Sequence, residues 1–238
     1  VTSAPEDEVW RGKLEDSFDI RQIVEERARF SGKVWSVRTD SVVIDQATDL
    51  GTGIERDIVV HPGAVTVIAL DEQDRVYLLR QYRHPVAMSL FEPPAGLLDI
   101  DGEDPLHTAV RELAEEAGLE AARWHVLVDF FNSPGGSTEA LRIYLARDLT
   151  PRPGGRVMTG EAEEAYLPGM WVDLEEAADA VLAGRLGNVG AVIGILAAVR
   201  ARSNDWIDLR PADAPWAVRD HLLANGRVDN PKAHHNGQ

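Results

Sequence analysis

Gly96-Leu97-Leu98-Asp99-Ile100-Asp101-Gly102-Glu103, then residues 104–110, then Arg111-Glu112-Leu113-Ala114-Glu115-Glu116-Ala117-Gly118-Leu119 form the middle of this chain. Over residues 105–117 the apolar Leu106, Ala109, Val110, Leu113 and Ala117 recur at helical spacing, which predicts a helix with one buried stripe. Asp104 is placed to cap that helix, Pro105 suits its first turn and Gly118 its C-terminal stop. On such a helix Glu112, Glu115 and Glu116 share one face, opposite the stripe. Like charges at this spacing cost a helix about 0.2–0.5 kcal/mol per pair, a cost that a bound divalent cation would reverse. Hard carboxylate oxygens with no Cys or His close by suit magnesium (Mg2+), or manganese (Mn2+), rather than zinc. Taken alone, the three glutamates read equally as a charged face turned to water.

Outward from the helix, strands and helices alternate. Residues 64–70 form an apolar run closed by the turn-like Asp71-Glu72-Gln73-Asp74, with a hairpin partner at 76–79. Further strands are predicted at 124–128, 141–146 and 170–172, and helices at 174–182 and 189–201. Nearer the N-terminus, Val34, Ser36 and Arg38 alternate with Trp35 and Val37 ahead of Val42-Val43-Ile44, so strands and hairpins are expected there. Residues 151–168, rich in Pro, Gly and Glu, read as a long loop, and loops of that length are often functional. The expected organisation is a β-rich unit over 1–60, a catalytic domain over 61–203, and a C-terminal tail over 204–238 that ends mobile.

A chain of 238 residues with 44% hydrophobic and 27% charged residues is that of an ordinary globular protein. Its formal net charge of -16 argues against nucleic acid or anionic membrane as partners, because phosphate surfaces need a basic face. A small anionic substrate would need a cation as intermediary. The absence of cysteine excludes disulfides and cysteine-based zinc sites. No apolar run reaches the roughly 18 residues of a membrane span, and the acidic start does not resemble a secretory signal, so a cytoplasmic location is expected.

The quoted run resembles the Nudix box of the Nudix hydrolase family. It departs from the pattern at one point: the family has five residues between its first Gly and first Glu, whereas six separate Gly96 from Glu103. The extra residue falls before the helix, so Glu112, Glu115 and Glu116 stay in register and Glu103 loses standing as an auxiliary ligand. The resemblance implies an α/β fold, an α/β/α sandwich around a mixed sheet, with a small β-rich N-terminal domain. It implies a magnesium-dependent pyrophosphohydrolase in which Glu112 and Glu116 are the main metal ligands, Glu115 assists and the backbone carbonyl of Ala95 adds a donor. Arg111 would orient the glutamates, a role compatible with a plain ion pair to Glu115 or Asp104.

The substrate must be read outside the box. Pro134, in Ser133-Pro134-Gly135-Gly136, is placed as in the ADP-ribose pyrophosphatase branch of the family; it also suits an ordinary turn. Gln81-Tyr82-Arg83-His84 and Glu92-Pro93-Pro94-Ala95-Gly96 are similar to that branch as well. Arg83 has the donor fork to clamp a phosphate, or to form a surface ion pair, and Glu92 is counted with it among the substrate-contacting residues. In that branch a glutamate of the long loop is the base on the attacking water, which points here to Glu164, with Glu163 next and Glu161 nearby. Glu139 is a further acidic candidate beside the Pro134 turn. Trp35 offers a flat surface to an adenine across a subunit boundary, although its neighbours Val34 and Val37 also suit a core position. The branch forms homodimers through its N-terminal domains, and residues 31–60 have the length and strand character for this. His61, His84, His107 and His125 show no shared ligand spacing. The leading expectation is cleavage of ADP-ribose to AMP and ribose 5-phosphate. The rivals are another nucleoside diphosphate sugar or dinucleotide, and a non-catalytic Nudix-fold regulator.

Overall fold

The computed structural model describes residues 10–44, 53–156 and 167–228. The strand β4 (Ala64–Ala69) is buried along its whole length, and its alternation divides the core in two. Val65, Val67 and Ala69 enter one apolar cluster with Ala109 and Leu113, whereas Ile68 enters another with Leu174 and Ile195. Strand β9 (Ala140–Pro151) runs parallel to β4 and divides likewise, Tyr144 and Ala146 to the first cluster, Ile143 and Leu145 to the second. A sheet buried on both faces needs helices on both, and that requirement makes the sandwich.

The central sheet has the order β11-β8-β9-β4-β7, with β7 (Ala95–Leu97), β8 (Leu119–Phe131) and β11 (Arg210–Pro211); its other pairings are antiparallel, so the sheet is mixed. Helix α1 (Pro105–Glu112) covers one face. Helices α2 (Leu174–Leu182) and α3 (Val189–Arg202) cover the other. Beside them β10 (Gly169–Asp173), β5 (Arg75–Arg83) and β6 (Met88–Glu92) form a second, antiparallel sheet. The expected α/β/α sandwich is the observed one.

The N-terminal residues form a third sheet, β1 (Ile23–Ser31), β2 (Ser36–Val42) and β3 (Ile54–Val60), all antiparallel. Val34 and Trp35 lie in the turn between β1 and β2, where Gly32 N–H donates to the Trp35 carbonyl at 3.0 Å, rather than in a strand. The sheet is stitched to the rest of the chain at Val59. Its N–H donates to the Gly136 carbonyl at 2.9 Å and its carbonyl accepts from Thr138 N–H at 3.0 Å.

Beyond Ser203 the chain, read from sequence as a tail, contributes β11 and a helix, α4 (Ala217–Ala224). Trp216 and Leu222 are buried in the first apolar cluster. The expected mobility of the last residues concerns positions outside those described. Among the described residues no helix is long and apolar enough to cross a membrane.

Candidate active site

The acidic helix begins as its sequence predicts. Asp104 accepts the Leu106 N–H at 2.8 Å with Pro105 in the first turn, and buried Thr108 donates to Glu103 Oε2 at 2.8 Å. It does not continue as a regular α-helix to Ala117. After Glu112 the backbone takes one π turn, Leu113–Ala117, which Gly118 ends with φ 65° and an N–H shared between the Ala114 and Leu113 carbonyls. Apolar spacing cannot distinguish this wider turn from an α turn, and such turns occur often at functional sites.

The π turn leaves Glu112 and Glu116 each only 8% exposed, against the backbone of β7. Ala95 N–H donates to Glu116 Oε2 at 2.9 Å. A Cβ at Gly96 would overlap the Glu112 carboxylate, so the glycine that opens the motif is the space the first ligand candidate occupies. Arg111 joins the cluster: Nη1 donates to Glu112 Oε1 at 2.7 Å and Glu115 Oε2 at 3.1 Å, while Nε and Nη2 each reach Glu103 at 3.2 Å. Burial opposes the Arg111 charge, but hydrogen bonds to Glu103 and Glu112 and their fields outweigh it and raise its pKa. Burial likewise pushes Glu103 upward, and its bonds to Arg111 and Thr108 reverse this to hold it below the ordinary value. Glu103 is thus the anchor of Arg111.

Among the described residues no three acidic or histidine side chains converge on one point at ligating distance. Two nearly buried carboxylates beside a backbone edge still fit a magnesium-like cation, which keeps several waters and takes the rest of its shell from one or two carboxylates and substrate phosphates.

A cleft of about 590 Å³ opens over β7 and collects Trp35, Arg83, Glu92, Ala95, Gly96 and Glu139. Trp35 reaches it from its own chain. Glu92, 3% exposed, accepts from Arg83 Nη2 at 2.6 Å and from Nε at 3.0 and 3.1 Å; the structure thus makes Glu92 the partner that orients Arg83. Pro134 lies elsewhere, in a groove with Asp40, Arg56 and Phe131, because the bonds at Val59 hold its turn against β3. Glu161, Glu163 and Glu164 lie outside the described residues. A second cavity of about 620 Å³, between residues 98–105 and 212–228, touches the motif only through its loop.

Sequence reasoning missed His61, Thr66 and Asn188, which also line the cleft. His61 Nδ1 accepts the Gly63 N–H at 3.0 Å, which turns Nε2 to Glu139 Oε1, 3.8 Å away. Burial lowers the His61 pKa against the pull of Glu139. Glu139 is also fixed by Asn132 Nδ2 at 2.7 Å. A signal for Thr66 existed: it is the polar residue inside the apolar run 64–70.

A mixed-sheet sandwich with this glutamate-bearing turn defines a class, and comparison agrees. The NUDIX domain model matches residues 60–189, and the chain belongs to the Nudix family. It is 40% identical over 200 residues to an ADP-ribose pyrophosphatase of Mycobacterium tuberculosis (strain ATCC 25618 / H37Rv), covering 84% of this chain and 92% of that protein. It is 35% identical over 184 residues to a methanol dehydrogenase activator of Bacillus methanolicus, covering 77% and 93%. A solved structure described as an ADP compounds hydrolase superposes with a TM-score of 0.60 at 20% identity, over 90% of this chain and 100% of that one, a likeness of fold.

Proposed function

We propose that this Nudix pyrophosphohydrolase cleaves the diphosphate of ADP-ribose, water adding across the P–O–P bond to give AMP and ribose 5-phosphate. The observation that carries this reading is the packing of Glu112 and Glu116 against Ala95 and Gly96 at the edge of a cleft that also holds Arg83. The Mycobacterium tuberculosis relative supports the choice of substrate.

In this reading Glu112 and Glu116 hold a magnesium ion, replaceable by manganese, with Glu115 and the Ala95 carbonyl assisting. The bound cation neutralises phosphate oxygens and lowers the pKa of a water. Arg111, held by Glu103, sets the direction of the Glu112 and Glu115 carboxylates. Arg83, aimed by Glu92, grips a phosphate by its fork of donors. Trp35 stacks on the adenine, the turn at Pro134 positions Glu139, and Glu164, or Glu163 beside it, takes the proton of the attacking water. The chain works as a cytoplasmic homodimer joined through its N-terminal unit, residues 1–60, with residues 61–203 catalytic.

The test is product analysis with magnesium and separate samples of ADP-ribose, a nucleotide sugar, NADH and a diadenosine polyphosphate. AMP and ribose 5-phosphate arising fastest from ADP-ribose, and lost in Glu116→Gln, is the expected result. Faster cleavage of another compound overturns the substrate. Cleavage of none favours a nucleotide-sensing regulator.

A further inference from the structure

The N-terminus of α3 also lines the cleft. Asn188, Val189 and Gly190 line it together with Thr66. Asn188 spends its side-chain oxygen on the cap, accepting the Ala191 N–H at 2.9 Å. The amides of Val189 and Gly190, in the first turn, have no acceptor within the helix. A Cβ at Gly190 would stand 3.1 Å from Thr66 Cγ2 and 3.2 Å from Thr66 Oγ1. The glycine therefore lets the helix end close over Thr66 while keeping its amide bare of a side chain.

Thr66 supplies the independent sign of a ligand. It is 3% exposed, lines the cleft, and its hydroxyl has no hydrogen-bond partner among the described residues. The side chain is buried, but its hydroxyl oxygen is not among the polar atoms sealed from solvent without a partner, so it opens to the cleft, where a ligand can bond it in place of water. Charge points to what fills the gap. Arg83 is the one cationic side chain lining the cleft among the described residues, and Glu92 already balances it. A helix terminus attracts an anion through oriented amides and needs no further cation.

We propose that the Val189 and Gly190 amides and the Thr66 hydroxyl form a phosphoryl-binding subsite, for one phosphate of a nucleoside diphosphate or for free inorganic phosphate. It rests on the reading of the cleft as a diphosphate site and adds to it a group that holds one phosphate.

The test reads binding without turnover, by calorimetry on the full chain with magnesium present, using inorganic phosphate and ADP as separate probes. Two variants serve. Thr66→Val keeps shape and removes the hydroxyl. Asn188→Asp keeps an equally good cap and sets a negative charge beside the amides. Both are expected to weaken ADP by about tenfold or more, the size of one hydrogen bond to a charged group. Parallel weakening of inorganic phosphate shows that the free ion uses the subsite too; weakening of ADP alone assigns it to the diphosphate. The ligand-free melting temperature of Thr66→Val should hold or rise, whereas a merely structural hydroxyl would lower it. Unchanged affinity for both probes in folded Asn188→Asp, or a wild type that binds neither, overturns the proposal. Wild type that binds ADP but leaves ADP-ribose intact overturns the proposed reaction and leaves the subsite standing.

Discussion

At Gly96 one hydrogen decides whether Glu112 keeps its place. Gly96→Ala would drive a methyl into the Glu112 carboxylate. Overpacking of this kind costs about 1–3 kcal/mol, and here the yielding group is a proposed metal ligand. Turnover is expected to fall by about two orders of magnitude, as for a misplaced reacting group, with a small loss of stability. Steady-state kinetics beside a melting curve checks this; near-normal turnover would free Glu112 of its role. Glu103 carries a different consequence. Its folded-state pKa lies below the ordinary 4.5, so its ionised form favours the folded chain above that pH, and this contribution is lost as pH falls through the depressed value. Wild type should exceed Glu103→Gln in urea midpoint at about pH 7, and the gap should narrow as pH falls below the ordinary carboxylate range. A gap that stays constant with pH would mean that Arg111 gains nothing from the charge.

The element that repays attention is α3. Its residues are apolar almost all round, and its contacts with the sheet run through Gly190 and Gly194 as well as Ile195 and Ala198. A Cβ at Gly194 would come within 2.7 Å of Ile68 Cδ1. Gly194→Ala therefore sets a gain in helix propensity of about 1 kcal/mol against overpacking of about 1–3 kcal/mol, and net destabilisation is expected in urea titration. A more stable variant would show that helix and sheet are free to separate. The same scale shows which elements the sequence discloses. Strands buried on both faces, such as β4, and a helix opened by a capping residue, α1, have patterns that composition cannot hide. Strand β1 is exposed almost throughout and so has no apolar alternation to read. The π turn shares the apolar residues of an α turn. Helix α4 is short, and its anchor Trp216 sits just outside it. At the site, the glutamates were legible because neighbours in sequence are neighbours on a helix. His61, Thr66 and Asn188 meet only when β4, α3 and the chain before β4 come together.

Over the whole molecule, the N-terminal sheet is tied to the C-terminal segment by charge as well as by the bonds at Val59. Asp40 on β2, 1% exposed, lies 3.1 Å from Arg38 Nε and 3.7 Å from Arg227 Nη1, and Arg38 Nη1 donates to the Gly226 carbonyl at 3.3 Å. Two arginines from opposite ends of the chain thus share one buried carboxylate. Removing the shared partner takes a buried carboxylate from both arginines, which in buried pairs costs about 3–5 kcal/mol; Arg38 keeps Glu26 at 3.2 Å and both arginines are partly exposed, so about 1–3 kcal/mol is expected for Asp40→Ala. Arg227→Ala alone should cost less, because Arg38 still pairs with Asp40. The double variant separates a tie from a local effect. If Asp40 joins the two ends, the losses of Asp40→Ala and Arg227→Ala are less than additive in urea titration, and protease sensitivity rises within β1 to β3 in both variants. Additive losses, with protection of the N-terminal sheet unchanged in Arg227→Ala, would mean that the backbone bonds at Val59 hold the sheet without help from the C-terminal segment.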